Sequence, residues 1–263
     1  MSITAKRRFG QNFLHDTVVL SKINDKINEI IAQYSPQSAV EIGPGTGKLT
    51  ELMVSKPIST TALEIDTEAF EYLMSRDDLS AVSIIKCDAL EDSINPEGYL
   101  SQAGVLVSNL PFNVGSRILV NLGIVNPGIP FVVILQKEVA QKALRSSNFT
   151  LFGAWLNLFW ETKIAFDIPR NSYVPAPDVA TSVLVGEPKS NLQYPKLEER
   201  KKMLAKLKIL FSHPRKTVRA NLKYGGYESS EIESFFDNEG WDLSLRLTWE
   251  NYKQVLIAIS NTL

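Results

Sequence analysis

The sequence predicts a doubly wound α/β fold, a mainly parallel sheet covered by helices on both faces, followed by a small all-α C-terminal unit. Three observations predict it. Short apolar runs alternate with helical spacings through the first two thirds of the chain, glycine-rich or acidic signals stand at the ends of successive runs, and the last third has helical spacing alone.

Asp16 to Gln33 comes first and has the spacing of an amphipathic helix, with Asp16 as its N-cap. Ser38 to Ile42, Thr60 to Ile65, Val82 to Lys86, Gly104 to Ser108 and Ile129 to Leu135 are expected strands. Each is short, rich in β-branched side chains and bounded by Gly, Pro, Asn or Asp. Between them, Lys48 to Val54, Thr67 to Met74, Ser116 to Leu122 and Lys137 to Leu144 carry helical spacing, which implies parallel strands joined by crossovers. Two further runs, Leu158 to Phe166 and Thr181 to Val185, extend the sheet as a closing pair. Gly186 to Asn191 then reads as a linker. Beyond it, Lys196 to Phe211, Lys216 to Tyr224, Ser230 to Asn238 and Thr248 to Ile259 are expected helices. The division expected is residues 1–187 for the sheet domain and 188–263 for the helical one.

At 263 residues and 44% hydrophobic content, the chain can build one large core and a smaller one. No run approaches the roughly 20 apolar residues of a membrane span. Lys6, Arg7 and Arg8 lack the apolar segment that would follow them in a signal peptide. Cys87 is the single cysteine, so no internal disulfide is expected and a reducing compartment fits. These features together predict a cytoplasmic protein without membrane contact. The net charge is −1, but it is unevenly spread. Lys196 to Lys223 holds ten basic residues against Glu198 and Glu199, net +8, whereas Tyr224 to Leu263 is net −5. A polyanion responds to that distribution and not to the total.

Glu41-Ile42-Gly43-Pro44-Gly45-Thr46-Gly47 follows the first expected strand and opens a helix. Gly43 and Gly45 let the backbone turn sharply and approach a ligand. The Gly-x-Gly-x-Gly spacing differs from the pyrophosphate-binding pattern, and the acidic Glu41 suits a cationic cofactor such as S-adenosylmethionine. Glu64, at the tip of the second strand, can accept from both ribose hydroxyls. Asp88, after the third, can accept from the adenine amino group or simply cap the next turn.

Ser108-Asn109-Leu110-Pro111-Phe112-Asn113 closes the fourth strand. Pro111 pushes Leu110 out of helical geometry, so the Leu110 carbonyl can face the cleft. That carbonyl and the Asn109 side-chain oxygen make two acceptors for one exocyclic amino group, and Phe112 offers a flat face to a flipped base. Catalysis is therefore expected from Asn109, Leu110, Pro111 and Phe112, with no metal.

The chain resembles the KsgA family of small-subunit rRNA adenine N6,N6-dimethyltransferases, within the rRNA adenine dimethylase superfamily that also holds the Erm enzymes. Matching stretches run from Lys6–Leu14 through Glu41–Gly47, Leu63–Asp66, Asn109–Phe112, Gln136–Val139 and Tyr173–Pro177 to Pro214–Leu222. The resemblance implies a Rossmann-like class I methyltransferase fold with a mainly parallel seven-stranded sheet. It implies that Asn12 and Leu14 cover the methionine end of S-adenosylmethionine, that Gly43 lines the loop, and that Glu64 and Asp88 hold ribose and adenine. Asn109 would bridge cofactor and target, and Tyr173 would sandwich the target adenine against Phe112. Read without the family, Tyr173 is a packed loop aromatic. The implied substrate is 16S rRNA in the small (30S) ribosomal subunit, dimethylated at two adjacent adenosines of its 3′-terminal hairpin by a monomer. Lys6, Arg7, Arg8, Arg215, Lys216, Arg219 and Lys223 would contact its phosphates. His213-Pro214 departs from the family's Gln-Arg pair, and Phe112 stands where many relatives have Tyr. An Erm-type large-subunit enzyme and a catalytically silent assembly factor on the same fold are the other readings.

Overall fold

The computed structural model describes residues 11–190 and 195–262. The chain enters as a two-residue strand, β1 (Phe13–Leu14), and turns into α1 (Thr17–Tyr34). Asp16 caps α1, its side chain accepting from the Val18 and Val19 amides. Strands and helices then alternate: β2 (Ser38–Ile42), α2 (Thr50–Val54), β3 (Ser59–Glu64), α3 (Thr67–Met74) and β4 (Val82–Lys86). The short helices α4 (Ala89–Asp92) and α5 (Tyr99–Gln102) precede β5 (Val105–Asn109), α6 (Gly115–Val125), β6 (Phe131–Gln136) and α7 (Lys137–Lys142). Next come α8 (Leu151–Phe159), β7 (Trp160–Ile168), β8 (Tyr173–Val174) and β9 (Thr181–Pro188). The C-terminal part is helical, with α9 (Leu197–Leu210), α10 (Val218–Tyr224), α11 (Ser229–Glu239) and α12 (Tyr252–Thr262).

Seven strands form one sheet in the order β4-β3-β2-β5-β6-β9-β7. The first five are parallel; β9 runs antiparallel to β6, and β7 antiparallel to β9. The order reverses between β2 and β5, which opens a crevice at the carboxyl ends of those two strands. The glycine loop follows β2 and the Asn109 tetrapeptide ends β5, so the topology alone brings these distant segments together.

Alternation along the strands divides the core into two faces. Val105, Val107, Val132, Ile134, Val183 and Val185 meet Ile23, Ile27 and Ile30 of α1. Leu106, Phe131, Val133 and Leu184 face the other way, against Ile118 and Leu122 of α6 and Trp155 and Phe159 of α8. The same cluster continues without a break into Leu207 of α9, Phe236 of α11 and Leu256 of α12.

Two expectations change. Leu158 belongs to α8, not to a strand: α8 ends at Phe159 and β7 begins at Trp160, with no Gly or Pro between them to mark the boundary inside one apolar run. Gly186 is not in a linker. It pairs with Phe131 across the sheet, and a Cβ there would lie 2.1 Å from that ring, so glycine makes room for the aromatic and β9 continues to Pro188. Among the described residues, no helix is long and apolar enough to cross a membrane.

Candidate active site

The glycine loop leaves β2 with Gly43, Gly45 and Gly47 all in the left-handed region, at φ of 63°, 57° and 79°. Side chains there would also collide: a Cβ on Gly45 would lie 2.9 Å from the Phe13 ring, and one on Gly43 would lie 3.3 Å from Pro111. The loop thus touches both the N-terminal segment and the tetrapeptide. The Arg76 guanidinium donates to the Thr46 carbonyl at 2.9 Å and steadies it from behind.

Two buried carboxyl groups stand beneath the loop. Glu64, at the end of β3, accepts from the Gly45 amide at 3.1 Å and the Asp66 amide at 2.8 Å. Burial raises its pKa above the usual carboxylate range, and these amides oppose the rise. Glu41, on β2, is 2% exposed, and one of its oxygens has no hydrogen-bond partner. Burial, and then the nearby Glu64, push its pKa up to about 8, with Thr50 acting in the opposite sense. Asp88 caps α4 by accepting from the Leu90 amide at 2.8 Å and also lines the cavity, so both of its sequence readings are compatible with its place.

The tetrapeptide sits on the other side of the crevice. The Leu110 amide donates to the Ile134 carbonyl, and the Pro111 carbonyl accepts from Val114 and Gly115 to start α6. The Asn109 amide nitrogen donates to the Asn12 carbonyl at 3.2 Å. That bond fixes the carboxamide, and its buried oxygen is left with no hydrogen-bond partner. Phe112 is half-buried in the wall. Together these segments enclose a cavity of about 230 Å³, lined by Asn12, Leu14, Glu64, Asp88, Asn109 and Phe112 among others.

Tertiary contacts the sequence did not foretell hold the N-terminal segment there. β1 pairs antiparallel with β8, Leu14 opposite Tyr173, and the His15 amide donates to the Ser172 carbonyl. The Ser172 hydroxyl donates to Asp16 at 2.8 Å, and the Gln11 amide to Asp66 at 3.2 Å. The Lys6–Leu14 stretch contains Gln11 and Phe13 but does not say what they touch, and no motif signals Ser172, because each acts through a partner far away in sequence.

Tyr173 requires a correction. It does not face Phe112 across the cavity. Its ring is 2% exposed in the core beneath α1, and its hydroxyl shares a 2.7 Å hydrogen bond with Thr181. Pairing with β1 turns the side chain inward, and burial raises the phenol pKa to about 12. Of the expected phosphate contacts, Arg215, Lys216, Arg219 and Lys223 are exposed around α10, with Arg219 paired to Glu233 at 2.8 Å. Lys6, Arg7 and Arg8 lie outside the described residues. Among the described residues, no cluster of three or more His, Cys, Asp or Glu could hold a metal ion.

Comparison with known proteins places the chain in a family. The family model described as ribosomal RNA adenine dimethylase matches residues 3–243. A protein of Mycoplasmopsis pulmonis named ribosomal RNA small subunit methyltransferase A is 31% identical, over 92% of this chain and 92% of its own. A Bdellovibrio bacteriovorus protein of the same name is 30% identical over 84% of this chain and 78% of its own. Among solved structures, a dimethyladenosine transferase from Plasmodium falciparum superposes with a TM-score of 0.64 at 20% identity, covering 95% of this chain and 90% of that one. The 23S rRNA methyltransferase ErmE gives 0.61 at 18%, covering 94% and 99%. The fold is thus that of class I methyltransferases, and the chain belongs to the ribosomal RNA adenine dimethylase family.

Proposed function

We propose that this enzyme dimethylates N6 of two adjacent adenosines in the 3′-terminal hairpin of small-subunit (16S) rRNA, with S-adenosylmethionine as methyl donor. The observation that carries the reading is the Asn109 oxygen, buried, fixed and without a partner at the end of β5. A buried acceptor left open is costly unless a donor arrives from outside, and an exocyclic amino group is such a donor.

The residues fit the cofactor. Two left-handed glycines of the cavity wall, Gly43 and Gly45, give a cradle that a Cβ would crowd, and Glu64 stands at the tip of β3, where a ribose would meet it. Glu64 would accept from the ribose hydroxyls and Asp88 from the adenine amino group, Asn12 and Leu14 would cover the methionine end, and Gly43 and Gly45 would line the loop against the cofactor. The bound cofactor supplies an electrophilic methyl group. On the target side, Asn109 and the Leu110 carbonyl take the two amino hydrogens, which localises the nitrogen lone pair along the line of attack. Pro111 sets that carbonyl, and Phe112 stacks on the base. The proton leaves after attack, so no strong base is required. Residues 1–187 act as the cofactor-binding unit and 188–263 as the RNA-binding unit. The enzyme works as a cytoplasmic monomer on the 30S subunit or its precursor, and Lys6, Arg7, Arg8, Arg215, Lys216, Arg219 and Lys223 contact phosphates.

Incubation with labelled S-adenosylmethionine and unmethylated small subunits should label N6 of adenosine in 16S rRNA. Asn109→Ala should abolish transfer while weakening cofactor binding only modestly. Label entering large subunits alone, or near-normal transfer by Asn109→Ala, would sink the proposal.

A further inference from the structure

His213, in the loop joining α9 to α10, and Tyr224, the last residue of α10, form an aromatic pair that the catalytic cleft does not use. His213 and Tyr224 stack with ring centroids 4.2 Å apart and planes inclined by 34°. Both are exposed, Tyr224 by 62%, a large value for a stacked tyrosine, so much of its ring surface remains open. The pair is built rather than incidental. Asn221, 2% exposed, accepts from the His213 amide at 3.1 Å and from the Ser212 hydroxyl at 3.2 Å. Its own amide donates to the Leu210 carbonyl at 2.8 Å and to the His213 carbonyl at 3.3 Å. Four bonds from one buried side chain therefore hold the turn that brings His213 onto Tyr224. Exposed Arg215, Lys216 and Lys223 lie on the same loop and helix, with Arg219 paired to Glu233 of α11, and no acidic residue occurs between Arg200 and Gly226.

From this arrangement we infer that His213 and Tyr224 form a stacking platform for an unpaired base of RNA, outside the methyl-transfer cleft, with the surrounding cations holding the flanking phosphates. An open aromatic face accepts any base, and nearby positive charge tracks the backbone without reading sequence. The site rests on the rRNA reading above and deepens it: the enzyme would grip two separate unpaired elements, one in the cleft and one on α10. The preformed stack lowers the ordering entropy that binding would otherwise lose.

The test compares full-length protein binding to a short oligoriboadenylate and to an abasic oligoribose phosphate of equal length, by fluorescence anisotropy. Both probes offer the same phosphates, and only one offers bases. The intact protein should prefer the base-bearing probe. Tyr224→Ala should reduce that preference about five-fold or more, the effect of one lost stacked base. Tyr224→Phe should retain it, and His213→Ala, which frees the ring, should reduce it less. An unchanged preference in Tyr224→Ala would overturn the inference and assign all base binding to the cleft. Equal weakening on both probes would also overturn it, since the ring would then act only on phosphate affinity. The subunit-labelling experiment reads independently: loss of preference in Tyr224→Ala without labelling of 16S rRNA would retain the platform and discard the substrate.

Discussion

Replacing Glu41 by Gln tests the electrostatics of the crevice. Glu41 is buried beside Glu64, and its pKa stands at about 8 in the fold against 4.5 for a free carboxyl. The folded state thus holds a proton that the unfolded chain has released at neutral pH. Stability from this group is fully present below about pH 4.5 and is lost as the pH rises through about 8. Between about pH 5.5 and about pH 8.5, the loss is on the order of 3 kcal/mol. Gln has the same shape and no proton to lose, so the variant's stability should be flatter over that window by this amount. Any constant offset from its amide drops out of the comparison. Urea unfolding of both proteins at the two pH values measures it. Parallel dependence on pH would refute the reasoning and show that Glu41 is ionised within the fold.

Two further perturbations test the walls of the site. Gly45→Ala places a side chain at φ 57° and 2.9 Å from the Phe13 ring. The backbone strain alone is worth about 1–2 kcal/mol, or roughly 2–8 °C in melting temperature, and displacing Phe13 should also weaken cofactor binding in calorimetry. An unchanged melting curve and affinity would show that the loop is softer than its contacts imply. Tyr173→Phe leaves the Thr181 hydroxyl, itself fully buried, without its partner and should lower unfolding free energy by about 1–3 kcal/mol in chemical denaturation. Tyr173→Leu should retain most methyl transfer per folded molecule, and a loss of about tenfold or more would return the ring to the substrate site.

The sequence by itself determined the sheet, because β-branched runs and helical spacings are local signals, and β2, β4 and α3 lie where those signals place them. It also exposed the glycine loop, Glu64 and the Asn109 tetrapeptide, because each is a contiguous motif at a strand end. Only the tertiary structure decided what those residues touch. Pairing of β1 with β8, far apart in sequence, turns Tyr173 into the core and sets the Asn12 carbonyl against Asn109. Burial, which no single position reveals, makes Glu41 a proton-holding acid, and the passage from α8 to β7 inside one apolar run has no local mark. The stack of His213 on Tyr224 depends on one buried asparagine closing a turn, and neither ring announces it alone. Local chemistry is written in the chain, whereas the direction in which a side chain points is set by which distant strand or helix arrives beside it.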